Sequence, residues 1–203
     1  MEKNTIINQI VDIEWIMFDK VNNIGGRASC QDEKQTFYIM RSSQLGAWNE
    51  ALLGSYLEDL QQAKAEGRNP LSEKYGYMME RTSPAEFAAI RSQLPARVPE
   101  KDALIDQICA QQTDWQEQLA ERFPKLTGRG RSIRRAEDTP VNTSFETYMW
   151  GELATYSMRT IQIYADYVEE VRKEGKSIPE MVLLNTVKQY GFDSLDAAEA
   201  RMR

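Results

Sequence analysis

Apolar residues recur at helical spacing along most of the chain. Between residues 5 and 22, Ile6, Ile7, Ile10, Val11, Met17, Phe18 and Val21 fall three and four apart, which predicts an amphipathic helix. Asn22-Asn23-Ile24-Gly25-Gly26 should stop it, because Asn and Gly tolerate the left-handed conformation. A polar connector runs from Arg27 to Lys34, and periodicity resumes from about Thr36 to Glu66, ending at Gly67-Arg68-Asn69-Pro70. A short helix is expected over 71–81. Ser83-Pro84-Ala85-Glu86 reads as a capping box with proline at the first helical position, and the helix it opens stops by Pro95. Pro99 opens another helix to residue 122, with Leu104, Ile105, Ile108, Trp115 and Leu119 on one face. Residues 124–142 are the least periodic part. A long helix follows from about Ser144 to Lys173, stopped by Gly175. A short helix from Pro179 to Tyr190 and a last one capped by Ser194 complete the chain. No internal repeat and no sustained strand alternation is present. The pattern predicts an all-α fold, an irregular multi-helix bundle, as a single helical domain over 1–203 with an Arg-rich connector at 124–142. Gly151 falls inside a helical pattern, which costs up to ~1 kcal/mol against alanine and marks a close helix–helix approach.

The same periodicity filters for polar residues on apolar stripes. On the first helix the stripe runs Ile7, Ile10/Val11, Glu14, Met17/Phe18, Val21. On the second it runs Phe37, Met40/Arg41, Gln44, Ala47/Trp48, Ala51/Leu52. On the helix from 144 it runs Phe145, Tyr148/Met149, Glu152/Leu153, Tyr156, Thr160, Ile163/Tyr164, Tyr167. A carboxylate centred on such a face is costly unless paired or protonated. One reading is a polar pocket between helices, where ligand sites are common. Glu14 and Glu152, with Tyr156, would do acid–base work, Arg41 would clamp an anionic group, and Gln44 and Tyr148 would orient the ligand. A carboxyl beside tyrosine and apolar walls is expected to have its pKa raised toward neutrality, which suits proton transfer. The competing reading is a buried Glu–Arg pair that fixes helix register, or a stripe drawn one residue off.

Composition narrows the chemistry. The chain has 203 residues, 41% of them hydrophobic and 28% charged, and no histidine. Without histidine, Ser-His-Asp and Cys-His catalysis and the Glu-x-x-His dimetal pattern are excluded. No metal site is assigned, although an all-oxygen one is chemically open. The formal net charge of −6 argues against nucleic acid and anionic membranes as partners. Two cysteines make neither a disulfide framework nor a metal cage. Cys109, beside Ile105 and Ile108, reads as core, and Cys30 lies in the connector. No spanning segment or secretory leader is evident, so a soluble, cytoplasmic protein is expected. In Gly25-Gly26-Arg27-Ala28-Ser29-Cys30-Gln31, backbone N–H groups with Arg27 could form an anion-binding nest, against the plainer reading of a helix cap and polar turn. Six basic residues between Arg122 and Arg135 (Arg122, Lys125, Arg129, Arg131, Arg134, Arg135), with no acidic one, read as a solvated loop, an anion-binding segment or a lid. Lys74 and Tyr75 form another face with Met78 and Met79, a methionine pair that reads as gap-filling core.

Several strings carry a family resemblance: Glu14-Trp15-Ile16-Met17-Phe18, Asn23 through Gln31, Ile39-Met40-Arg41-Ser42-Ser43-Gln44, Glu73-Lys74-Tyr75 and Gly151-Glu152-Leu153-Ala154-Thr155-Tyr156-Ser157. Together they resemble a bacterial family known only as domain of unknown function number 4125, over nearly the whole chain. That resemblance implies a single domain and no particular activity or cofactor. The leading expectation is therefore an enzyme acting on a small anionic metabolite by carboxylate and tyrosine acid–base chemistry, in a lyase, isomerase or hydrolase step. The alternatives are a non-catalytic small-molecule-binding or regulatory module and a helical protein-interaction module. Self-association into a homo-oligomer is compatible with all three.

Overall fold

The apolar stripe of the first segment folds as α1 (Lys3–Asp19), burying Ile6, Ile7, Ile10, Val11, Met17 and Phe18. The computed structural model describes residues 2–22 and 26–202. The Asn23-Ile24-Gly25 part of the expected helix stop lies outside the described residues. The remaining helices are α2 (Lys34–Gly46), α3 (Glu50–Ala65), α4 (Pro70–Thr82), α5 (Pro84–Ile90), α6 (Pro99–Arg122), α7 (Pro124–Thr127), α8 (Phe145–Ala154), α9 (Met158–Lys173), α10 (Ile178–Gln189) and α11 (Leu195–Arg201). There is no strand among the described residues, only one isolated antiparallel bridge between Thr139 and Asn142. The fold is all-α. No helix among the described residues is long and apolar enough to cross a membrane.

Two helices expected as single pieces are each broken in two. The stretch 36–66 turns at Ala47-Trp48-Asn49. The Asn49 side chain accepts the Leu52 N–H at 2.9 Å and starts α3. The freed carbonyl of Ala47 accepts the Tyr167 hydroxyl at 2.5 Å, and Trp48 is buried at the corner. The stretch 144–173 breaks at Thr155–Ser157, where Ser157 caps α9 through the Thr160 N–H at 3.2 Å. There Lys101 Nζ donates to the carbonyls of Ala154 (2.8 Å) and Tyr156 (3.0 Å). In both cases the residue at the end of the first helix (Ala47, Thr155) still has right-handed helical backbone angles. The break comes at the extended cap residue that follows, Asn49 or Ser157, while the apolar spacing in the sequence shows no gap at either corner. The expected capping box at Ser83 does not form either. Its side chain makes no cap hydrogen bond, and Pro84 alone sets the start of α5.

Around this chain path α1 packs on α2, α3 and α4; α9 on α3 and α6; α8 on α4 and α6; and α10 on α2 and α6. The main core joins these helices. A smaller cluster of Leu119, Phe123, Val187, Leu195 and Ala198 fastens α11 to the end of α6 and to α10. The connector 124–142 is stapled down rather than free. Arg134 pairs with Glu117 (2.5 Å) and Asp114 (2.9 Å) of α6, Arg135 pairs with Glu146 of α8, and Asp138 accepts the Ser144 N–H at 2.7 Å.

Gly151 makes the close approach its position suggested. A Cβ there would lie 2.7 Å from Met78 Cγ and 3.0 Å from the Lys74 carbonyl oxygen of α4. Gly151→Ala is expected to lower stability by about 1–3 kcal/mol, because overpacking outweighs the gain in helix propensity. Urea denaturation of both proteins checks this; an unchanged or raised midpoint would contradict the close packing of α8 on α4.

Candidate functional site

The inward stripe of α1 carries Glu14 into the core, where it is fully buried. Arg41 of α2 grips it as a fork, with Nε 2.7 Å from Oε2 and Nη2 2.5 Å from Oε1. The other arm of the guanidinium, Nη1, donates to Gln44 Oε1 (2.7 Å) and to Glu152 Oε1 (3.0 Å) on α8. Glu152 is saturated with donors. Oε1 also accepts Gln44 Nε2 at 3.2 Å and the Tyr156 hydroxyl at 2.9 Å, while Oε2 accepts Lys74 Nζ at 2.7 Å from α4. The Tyr56 hydroxyl of α3 donates to Glu14 Oε1 at 2.6 Å. Two carboxylates and two cations thus form a buried, charge-balanced quartet, which is the condition under which buried charge is tolerated. The Tyr56 and Tyr156 rings lie 4.5 Å apart, and Trp48 packs on both, so the hydroxyls are fixed from behind.

This geometry overturns the expectation of a carboxyl titrating near neutrality. Burial alone would push the Glu152 carboxyl up, but the charges and hydrogen bonds of Arg41 and Lys74 outweigh it. They hold Glu152 well below the usual carboxylate range. Burial and the adjacent carboxylates push the Tyr156 and Tyr56 phenols well above their ordinary value, so both remain protonated donors. Arg41 stands between the two carboxylates, where a bridging metal would have to sit.

Of the residues singled out by the stripes, Glu14, Arg41, Gln44, Glu152 and Tyr156 meet in one cluster. Tyr148 adjoins it differently. Its ring lies 3.5 Å from Lys74 Nζ and 4.4 Å from Arg131 Cζ, as a cation–π platform. Arg27 does not join them. It bridges Asp19 (2.6 Å) and Asp32 (2.8 Å) and donates to the Gln31 carbonyl, tying the connector to the end of α1. Gln31 completes that tie by donating to the carbonyls of Phe18 and Val21. The segment is a helix cap whose arginine is already engaged. Cys109 is buried, and burial pushes its thiol up; Cys30 is exposed. Lys74, Tyr56 and Arg131 are members or neighbours of the site that the stripes on three helices did not pick out.

Two cavities flank the quartet. The larger, about 390 Å³, lies where α10 rests on α2 and α6 beside α8. Leu119, Leu153, Val182 and Leu183 form its apolar walls, and Gln44, Glu152 and Tyr156 its polar end. The smaller, about 240 Å³, is lined by Arg41, Lys74, Tyr75 and Phe37. Met40, Tyr148 and Arg131 line both. A bigger hollow of about 630 Å³ outside α4 and α5 touches none of these residues, and its Arg97 is paired with Glu80 and Asp102. The family model described as "Protein of unknown function (DUF4125)" matches residues 4–200. The chain belongs to that family. No curated protein and no solved structure matches this DUF4125 chain. What the site can do therefore rests on its own geometry: it offers a fixed polar surface at the end of an apolar cavity, with one arginine left over.

Proposed function

We propose that this DUF4125 protein binds a small anionic metabolite in the cavity between α2, α6, α8 and α10. One observation carries the reading. Arg131 stands at the cavity edge with no ion pair among the described residues, while the polar end behind it is already charge-balanced. It donates to the Thr143 carbonyl and stacks on the Tyr148 ring. The clamp role expected of Arg41 passes to Arg131, because Arg41 spends its guanidinium on Glu14, Glu152 and Gln44. Gln44, through its second amide N–H, and Tyr148 orient the ligand; the part expected of Tyr156 is limited to holding Glu152, to which its one hydroxyl proton is given. Glu152 acts as a fixed anion that orders Gln44 and Tyr156 and not as a proton carrier, since it is held ionised and fully hydrogen-bonded, and Glu14 anchors Arg41 beside it. Binding therefore stands ahead of lyase, isomerase or hydrolase chemistry. An interaction module built on exposed polar stripes is disfavoured because Glu14, Arg41 and Glu152 are buried.

The test is thermal melting against a panel of small carboxylates and phosphate esters, for wild type and for Thr186→Trp, which fills the cavity from α10. A true ligand at a hundredfold its dissociation constant should stabilise the wild type by about 2.7 kcal/mol. Thr186→Trp should abolish that gain while melting near wild type on its own. Stabilisation that survives Thr186→Trp, or a panel with no stabilising member, contradicts the proposal. Recovery of the ligand unchanged marks a binding module, and its conversion marks an enzyme.

A further inference from the structure

Resting on the reading that the cavity binds a small molecule, we infer that its ligand is an amphipathic monoanion: an apolar tail in the larger cavity and a carboxylate head beside Tyr148, on Arg131. Three observations meet here. The wall of the larger cavity is mostly apolar, with Gln112, Gln116 and Thr127 among its polar side groups, so an apolar tail gains more there than a wholly polar metabolite would. Arg131 Cζ and Lys74 Nζ both sit against the one Tyr148 ring, at 4.4 and 3.5 Å from its centroid. Of the two, Lys74 is buried against Glu152 while Arg131 is exposed, so an anion at the edge of that ring is met by Arg131. Lys74 is neutralised by Glu152, whereas Arg131 has no ion pair among the described residues; Glu33 also lines the smaller cavity, so the head that fits is a single negative charge held on Arg131 and not a multiply charged group.

The two cavities share Met40, Tyr148 and Arg131, which makes these side chains the partition between tail and head. Met40 is 49% exposed and Arg131 is also exposed. A flexible thioether and an unpaired arginine can swing aside without disturbing the core, so the partition is also the entrance.

The probes are octanoate, octanol, acetate and inorganic phosphate, measured by calorimetric titration of the full chain. Octanoate should bind about tenfold or more tighter than octanol, as a charge-assisted contact in a partly dry site requires. Acetate and phosphate should bind far more weakly than octanoate, because they lack the tail. Arg131→Gln, a surface change, should erase the preference for octanoate and leave octanol binding as it was. Thr186→Trp should remove both. Equal binding of octanol and octanoate, or a preference that survives Arg131→Gln, overturns the anionic head and the clamp role of Arg131 with it, while leaving the cavity as a small-molecule site. Acetate or phosphate binding as tightly as octanoate overturns the tail. If neither octanoate nor octanol binds, or if both still bind Thr186→Trp, the cavity reading falls with it.

Discussion

Arg41→Met is expected to destabilise the protein by more than the roughly 3–5 kcal/mol that breaking one buried ion pair costs. The side chain serves two carboxylates at once, gripping Glu14 with two nitrogens and reaching Glu152 with a third. Methionine leaves two buried carboxylates and one cation, Lys74. Against a net stability of ~5–15 kcal/mol, that loss leaves the variant unfolded or nearly so at neutral pH. The pH dependence should invert as well. In the wild type the Glu152 carboxyl is depressed, so its contribution is fully present above the ordinary value of about 4.3 and is lost as pH falls through the depressed folded value. In Arg41→Met, a buried carboxylate without its cation takes up a proton in the folded state, so stability rises as pH drops from 7 toward 5. Urea denaturation at both pH values reads the difference. A variant within about 1 kcal/mol of wild type at pH 7 would mean that the buried quartet does not exist as described.

The bundle was legible from period alone because each helix buries a single stripe, and α6 ends at the two prolines that bracket it, Pro99 and Pro124. The corners at Ala47–Asn49 and Thr155–Ser157 were not. Each corner is a short break at an extended cap residue, after which the apolar residues of the next helix resume at three- and four-residue spacing, so no stripe is interrupted in the sequence. Asn49 and Ser157 are cap residues, but a polar residue within a helical pattern has no distinguishing mark until its side chain meets the next backbone N–H. At Ser83 the error ran the other way, since the residues of a capping box were present without its hydrogen bonds.

The stripes found five members of the polar cluster because burial of a charge is itself the anomaly. Lys74 could have been found by the same filter. It lies on the buried face of α4 between Leu71 and Met78, and it was read only as part of a face with the methionines. Tyr56 gave no such signal, because a tyrosine among Leu52, Leu53, Leu57 and Leu60 looks like core and its hydroxyl partner lies 42 residues away. The electrostatic outcome was beyond reach for the same reason. A glutamate beside tyrosines reads as a raised carboxyl until Lys74 and Arg41, from two other helices, are placed against it. Of the basic run, Arg134 and Arg135 are staples to α6 and α8 while Arg129 and Arg131 have no ion pair among the described residues, a difference set by which carboxylates α6 and α8 present; of these two only Arg131 lines the cavities.

Glu152→Leu is expected to cost about 3–5 kcal/mol, and adding Lys74→Met should return most of it. The single change strands the ammonium of Lys74, which is 3% exposed and has no other carboxylate within 4 Å among the described residues. The double change replaces a buried ion pair by two apolar side chains of similar reach, while Arg41 keeps Glu14 and Gln44. A double-mutant cycle in urea, with Lys74→Met as the third corner, gives the coupling, expected near the upper end of the ~0.5–3 kcal/mol range for contacting residues. The ligand site adds a second readout. If the charged pair is kept for binding, the stable double variant should no longer be stabilised by ligand, because Glu152 no longer fixes Gln44 and Tyr156 at the cavity end. If the double variant binds as the wild type does, the pair serves helix register, and the ligand is held by Arg131 and the apolar walls alone.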